Sequence, residues 1–276
     1  MTVATSTPGR APVGALLRNW RKERRFSQLE LALRADSSAR HISFIETGRA
    51  RPSRDMLLRL ADHLDIPIRE RNTLLTAAGY AAAYPETPLD DRAMRGLHAT
   101  LDLILRAHEP HPALVMDGHY DIVAANRGVL HLLGDLPPEL ARQPPNALRL
   151  TLHPRGMAPR IRNLAEWRAH LLQRVERQTA LRDSGPLRAL YDEVAGYPAP
   201  VTNPGAHDDE GPQAHPYALP LRIDVQGRTL SLISTATTFN TPMDVTVSEL
   251  AIETFLPADA RTAQALRAAF TDLGPG

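Results

Sequence analysis

Five short runs of apolar residues at helical spacing occupy the first eighty positions. Leu16, Leu17 and Trp20 form one stripe and predict a helix over 13–25. Ser27 with Glu30 three residues on is a capping box, opening a second helix with Leu31 and Ala32 inward. At Asp36-Ser37 the chain needs a residue that tolerates a left-handed backbone, which Asp does acceptably and Gly better. Ser38 caps a third helix whose Ile42 and Ile45 share one face, and Gly48 ends it. Ser53 caps a fourth helix with Met56, Leu57, Leu60 and Leu64 inward, and a fifth spans 68–78.

Beyond residue 91 the pattern is mixed. Met94, Leu97, Leu101 and Leu105 predict a helix over 92–107. An apolar strand then meets Asp117-Gly118 and returns through Tyr120, Ile122 and Val123 to Asn126, which reads as a hairpin. A short helix over 128–133 and longer helical segments within 164–197 follow. Strands are expected at 218–225, at 228–234 across a Gln226-Gly227 turn, and at 245–257, before a last helix over 260–273. Stretch 81–91 holds two prolines and reads as a linker, 135–145 holds four and reads as a surface loop, and 196–220 reads as either a disordered insertion or a lid. The expected organisation is a disordered arm (1–9), an all-α five-helix domain (10–80), a linker (81–91) and a second domain with helices and an antiparallel sheet (92–273). The fold class is α+β.

The third helix shows what the first domain is for. Its outer face carries Ala39, Arg40, His41, Ser43 and Phe44, an odd set for a merely solvated surface. Helices two and three then form a helix-turn-helix, with the second of the pair aimed at a DNA major groove. Arg40 is the candidate for reading guanine bidentately, and Ser43 and Phe44 for base edges or a thymine methyl. Ser27, Gln28 and Ser38 stand at helix N-termini, where Gln28 reaches a phosphate, and Arg49, Arg51 and Arg54 grip the backbone. Residues 1–80 carry 14 Lys and Arg against 8 Asp and Glu and the remainder 18 against 23, so positive charge concentrates at one end of a chain of net charge +1.

These residues resemble the phage-repressor and Cro-type, or XRE, helix-turn-helix family. The matches are Ser27-Gln28, Glu30-Leu31-Ala32, Ile42-Ser43, Ile45-Glu46, Gly48-Arg49 and Arg51-Pro52-Ser53, with Asp36 standing where Gly is usual. The resemblance implies a buried ion pair between Arg21 and Glu46.

Composition narrows the remainder. The absence of cysteine excludes disulfides, zinc fingers and thiol chemistry. No apolar run approaches the ~20 residues of a membrane span, and 1–9 lacks a signal-peptide core, so the expected location is cytoplasmic. Among eleven histidines, His108 and His111 are separated by the helix-breaking Pro110, and His207 and His215 lie in the long insertion; neither pair makes a zinc site, and no metal or cofactor is expected.

The hairpin ending at Asn126, the short helices and the three later strands resemble a PAS-type sensor. With His153-Pro154, the 163–168 segment NLAEWR and Phe239-Asn240-Thr241-Pro242, positions 88–271 resemble the MmyB-type bacterial regulators. That resemblance implies a ligand-binding domain and a fatty-acid-like effector. The pocket candidates are Asn126, His153, Arg155, Arg160, Trp167, His170 and Phe239, with Leu130, Leu133, Leu171 and Ile233 around an acyl chain and an Arg or His pairing its carboxylate. The expected protein is a non-enzymatic, ligand-responsive transcription regulator, a homodimer on double-stranded DNA. Two alternatives stand beside it: a second domain that binds a protein, as in antitoxins, and an enzyme carrying a DNA-binding module.

Overall fold

The computed structural model describes residues 12–140, 144–181, 184–198 and 218–272. The arm expected over 1–9 and most of the insertion expected over 196–220 lie outside the described residues. The chain divides into two units: residues up to Leu89 with Asn240–Ser248, and Asp90–Phe239 with the remainder from Glu249.

In the first unit, α1 (Val13–Glu23), α2 (Gln28–Arg34), α3 (Ala39–Glu46), α4 (Arg54–His63) and α5 (Ile68–Ala77) enclose one apolar core. Leu17, Leu31, Ile42, Ile45, Leu60 and Leu64 have no appreciable exposure. The serine caps set the starts: Ser27, Ser38 and Ser53 accept from the backbone N–H of Glu30, His41 and Met56 at 3.0, 3.1 and 3.2 Å, each worth ~1 kcal/mol. Helix α1 stops two residues earlier than its stripe suggests. Arg25 turns left-handed at φ 59°, and Phe26 N–H closes back on Arg21 O, so a Schellman stop forms without glycine. Asp36 takes the left-handed turn between α2 and α3 at φ 49°. Gly14 allows α1 to lie against α3: a Cβ there would meet the Ile45 carbonyl oxygen at 2.3 Å.

The stretch after α5 is fastened to this unit. Asn72 accepts from the N–H groups of Ala83 and Tyr84 and donates to Tyr84 O, and Arg69 pairs with Glu86 at 2.7 Å. The segment Asn240–Ser248 joins the same unit: Thr87 Oγ1 donates to Asp244 Oδ2 at 2.6 Å, and Val245 N–H donates to Pro85 O at 2.8 Å.

The second unit is built on a five-stranded antiparallel sheet of order β2-β1-β5-β4-β3. Its strands are β1 (Ala113–Met116), β2 (Ile122–Ala125), β3 (Leu221–Val225), β4 (Arg228–Thr238) and β5 (Ala251–Pro257). Helix α6 (Arg95–His108) precedes the sheet, α7 (Arg127–Leu133), α8 (Ala147–Leu152), α9 (Leu164–Leu181) and α10 (Gly185–Ala195) fall between β2 and β3, and α12 (Ala260–Asp272) follows β5. One core joins the inner sheet face to α7–α10 through Leu114, Val129, Leu148, Trp167, Val175, Leu187, Ile223 and Leu232. Gln226 and Gly227, at φ 48° and 74°, make the two-residue β3–β4 turn expected there. Among the described residues no helix is long and apolar enough to cross a membrane.

Strand β3 begins at Leu221 and β4 runs on to Thr238, and two further strand expectations are corrected. The third C-terminal strand begins at Ala251, because Asp244 accepts from Thr246 N–H and starts a helical turn, α11 (Val245–Ser248), despite the β-branched run. The first hairpin has no two-residue Asp-Gly turn. Asp117 Oδ1 accepts from the N–H groups of His119 and Asp121, which widens the loop and places Tyr120 at its end in a left-handed conformation, φ 66°.

Candidate functional site

The outer face of α3 presents one exposed cation, Arg40. Arg40 and Phe44 sit one turn apart, and the Arg40 guanidinium lies 5.2 Å from the Phe44 ring centroid. Phe44 is half-buried, so its exposure is no longer an anomaly: it packs beneath Arg40 and leaves that side chain outermost. Arg40, Arg49 and Arg54 are exposed, and no hydrogen bond or ion pair within the described residues engages their guanidinium groups. Ala39 is a packing residue on the core edge, and His41 and Ser43 are half-buried beside it. Ser27 and Ser38 are exposed, but their hydroxyls already serve as caps.

Two of the expected phosphate contacts also have structural duties. Arg51 donates to Ala78 O at 2.9 Å and stacks 5.2 Å from the Tyr80 ring, tying the α3–α4 loop to the end of α5. Gln28 Nε2 donates to Glu46 Oε2 at 2.9 Å, which leaves one amide N–H for a phosphate.

Behind this surface Arg21 meets Glu46 bidentately, Nε to Oε1 at 2.5 Å and Nη2 to Oε2 at 2.9 Å, with both residues over nine-tenths buried. Arg21 Nη1 also donates to Phe26 O. Burial alone would raise the Glu46 pKa; hydrogen bonds from Arg21 and Gln28 outweigh it and hold the carboxyl below its ordinary value. Helices α1, α2 and α3 are thereby locked around one carboxylate, which fixes the angle at which α3 is presented.

The second unit contains a cavity of about 60 Å³ between the sheet and α7, α8 and α9. Its apolar wall includes Leu114, Ile122, Val129, Leu132, Leu148, Met157 and Phe255, and Tyr120, Thr151, Arg174 and Glu253 are its polar members. Of the residues expected to bind ligand, Leu133, Trp167 and Leu171 line it.

The other expected pocket residues lie elsewhere, each for a local reason. Leu130 is 62% exposed, because Val129, Leu132 and Leu133 take the inward face of α7. Ile233 alternates with the buried Leu232 and falls on the other side of β4. Phe239 follows the end of β4, off the cavity wall. Asn126 is a structural hub that accepts from Ala113 and Val129 N–H and donates to Leu105 and His111 carbonyls. Arg160 caps α7 by donating to the carbonyls of Leu132 and Leu133 at 3.0 and 2.7 Å. Arg155 pairs with Glu139, and His153 Nδ1 accepts from Arg155 N–H. His170 rests on the Trp167 ring, 5.5 Å between centroids, outside the lining.

The polar members were missed although two had a signal. Arg174 continues the face of α9 that carries Trp167 and Leu171, at i, i+4 and i+7. Glu253 interrupts the apolar alternation of β5, two residues before Phe255. Arg174 Nη1 donates to Glu253 Oε2 at 3.1 Å, and Ser234 Oγ donates to Glu253 Oε1 at 2.5 Å. Among the described residues no cluster of three His, Asp or Glu side chains is placed to hold a metal ion, and His207 and His215 lie outside them.

A helix-turn-helix unit joined to an α+β unit with an apolar cavity defines a class of two-part regulators, and family comparison agrees. Residues 17–71 match the helix-turn-helix family, and 97–269 match the MmyB-like transcription regulator ligand binding domain. The second match covers more than half of the chain, which therefore belongs to the MmyB-like transcription regulators. No curated protein matches significantly. A solved structure described as an RNA-binding light-oxygen-voltage receptor matches at 14% identity and a TM-score of 0.28, over 94% of this chain and 57% of that one. A likeness that low carries no argument, and the chain spans little more than half of that receptor.

Proposed function

We propose that this regulator works as a homodimer, reading operator DNA with α3 and sensing a small, apolar, acyl-like effector in the cavity of a PAS-like second unit. The observation that carries the reading is the partly open, apolar cavity in a chain that also presents a free arginine over an aromatic ring on α3. The dimer rests on the general rule that one such module reads only a half-site. The strand order β2-β1-β5-β4-β3, with helices inserted between β2 and β3, supports the PAS-like reading. A recessed apolar lining favours a sensor over a protein-docking face, and its ionised groups, Arg174 and Glu253, engage each other.

The cavity is smaller than the ~150 Å³ that holds benzene in an engineered core. A longer chain therefore enters as lining side chains such as Met157 swing aside, with each buried methylene contributing ~0.8 kcal/mol. A route for response is built into the chain. The connection between β4 and β5 belongs to the first unit, where Asp244 holds Thr87, while β5 carries Glu253 and Phe255 to the cavity. Asp244→Ala should leave effector affinity unchanged and reduce the effector's influence on DNA binding; equal influence in variant and parent would remove this route.

Selection of duplexes from a random pool by the full chain tests the DNA reading. Arg40→Ala should lower affinity for the selected duplex by ~1–3 kcal/mol and relax preference at one base pair. Arg54→Ala should weaken all sequences alike and flatten the salt slope by about 0.9. Unchanged preference with Arg40→Ala would take base reading away from this residue.

A further inference from the structure

The polar end of the cavity has a chemistry of its own. Tyr120 is 3% exposed, and its hydroxyl is buried without a hydrogen-bond partner. Buried phenols ordinarily find one. The loop capped by Asp117 holds this residue at φ 66°, a conformation that costs energy for a bulky side chain. Tyr120 lines the cavity, and its phenolic proton has no acceptor. Arg174, 5.6 Å from the ring, only donates and cannot take the phenolic proton. Glu253 does not reach it, being engaged by Arg174 and Ser234.

The charges at this end cancel. Arg174 and Glu253 form one ion pair, with Arg174 partly buried and Glu253 almost wholly so. Arg177 is exposed and donates to Gln173 O. Burial, then the neighbouring Arg174, pushes His170 toward its neutral form. Burial likewise raises the Tyr120 pKa, so the phenol remains a donor. A carboxylate brought here would leave one buried negative charge without a counter-charge beside Glu253. An ammonium would do the same in the opposite sign beside Arg174.

Resting on the apolar-effector reading above, we propose that the effector ends in an uncharged hydrogen-bonding group, a hydroxyl or carbonyl oxygen that accepts the Tyr120 proton, and that the cavity selects against charged heads. This replaces the expectation that an arginine or histidine pairs with a ligand carboxylate.

Calorimetric titration of the full chain at neutral pH with 1-octanol, octanoate and octylammonium compares three heads on one alkyl chain. Octanol should bind about ten-fold more tightly than either ion. Tyr120→Phe should cut octanol affinity about ten-fold, the effect of one buried hydrogen bond, and leave octanoate affinity unchanged. The variant should melt close to the parent, because the phenolic proton removed has no acceptor to lose. Octanoate binding as tightly as octanol in the unaltered protein, or octanol affinity unchanged by Tyr120→Phe, would overturn the proposal while leaving the apolar-effector reading in place. Binding of none of the three would overturn both.

Discussion

Glu46→Ala should destabilise the first unit by about 3–5 kcal/mol, because it strands the Arg21 guanidinium in a site over nine-tenths buried. The chain has two tryptophans, so a Trp167→Phe background leaves Trp20 to report unfolding of this unit by fluorescence. Removing both partners together, as Arg21→Met with Glu46→Leu, should cost far less, since no lone charge is left behind. The pair also sets a pH dependence. The folded Glu46 carboxyl lies below its ordinary value, so its stabilising contribution is complete above the unfolded value of ~4.3 and is lost as pH falls through the folded one. Unchanged melting of Glu46→Ala at neutral pH would show that the lock does not hold the helices.

Asn126→Ala should be comparably severe in the second unit, destabilising it by about 3 kcal/mol or more, because buried backbone groups lose their partners. Its side chain holds Leu105 and His111 carbonyls and Ala113 and Val129 N–H groups, joining α6, β1 and α7. Asn126→Asp should also destabilise, because a carboxylate offers no donor to the two carbonyls. A Trp20→Phe background leaves Trp167, inside this core, as the reporter. The loss should appear with no ligand present, which separates a structural hub from a ligand contact; a variant that melts like the parent but fails to bind effector would return Asn126 to the pocket.

The first unit was legible because its signals are local. Each cap and stripe lies within a dozen residues, and Ser27, Ser38, Ser53, Ile42 and Ile45 all act where their spacing places them. What spacing could not show was occupancy: Arg51 reads as a phosphate contact, and it also donates to Ala78 O and lies against Tyr80. The cavity was harder to read because its polar end gathers Tyr120, Arg174 and Glu253 from a loop, a helix and a strand. Their meeting depends on β5 lying between β1 and β4, which no local pattern encodes. Leu130 and Ile233 are one position away from inward residues, and both helical and strand periodicity turn such a neighbour off the wall. Helix α8 supplies Leu148 and Thr151 but is six residues long, too short for periodicity to mark it.

The central claim is that one chain couples a DNA-reading face to an effector cavity, and the affinity of the full chain for its selected duplex tests it most directly. Fluorescence anisotropy titrations at fixed salt, without octanol and with octanol at a calorimetrically saturating concentration, give the coupling factor. A change of about 5- to 150-fold between the two titrations is predicted, the range of ordinary site-to-site coupling. Equal affinities, with octanol shown to be bound, would contradict the account.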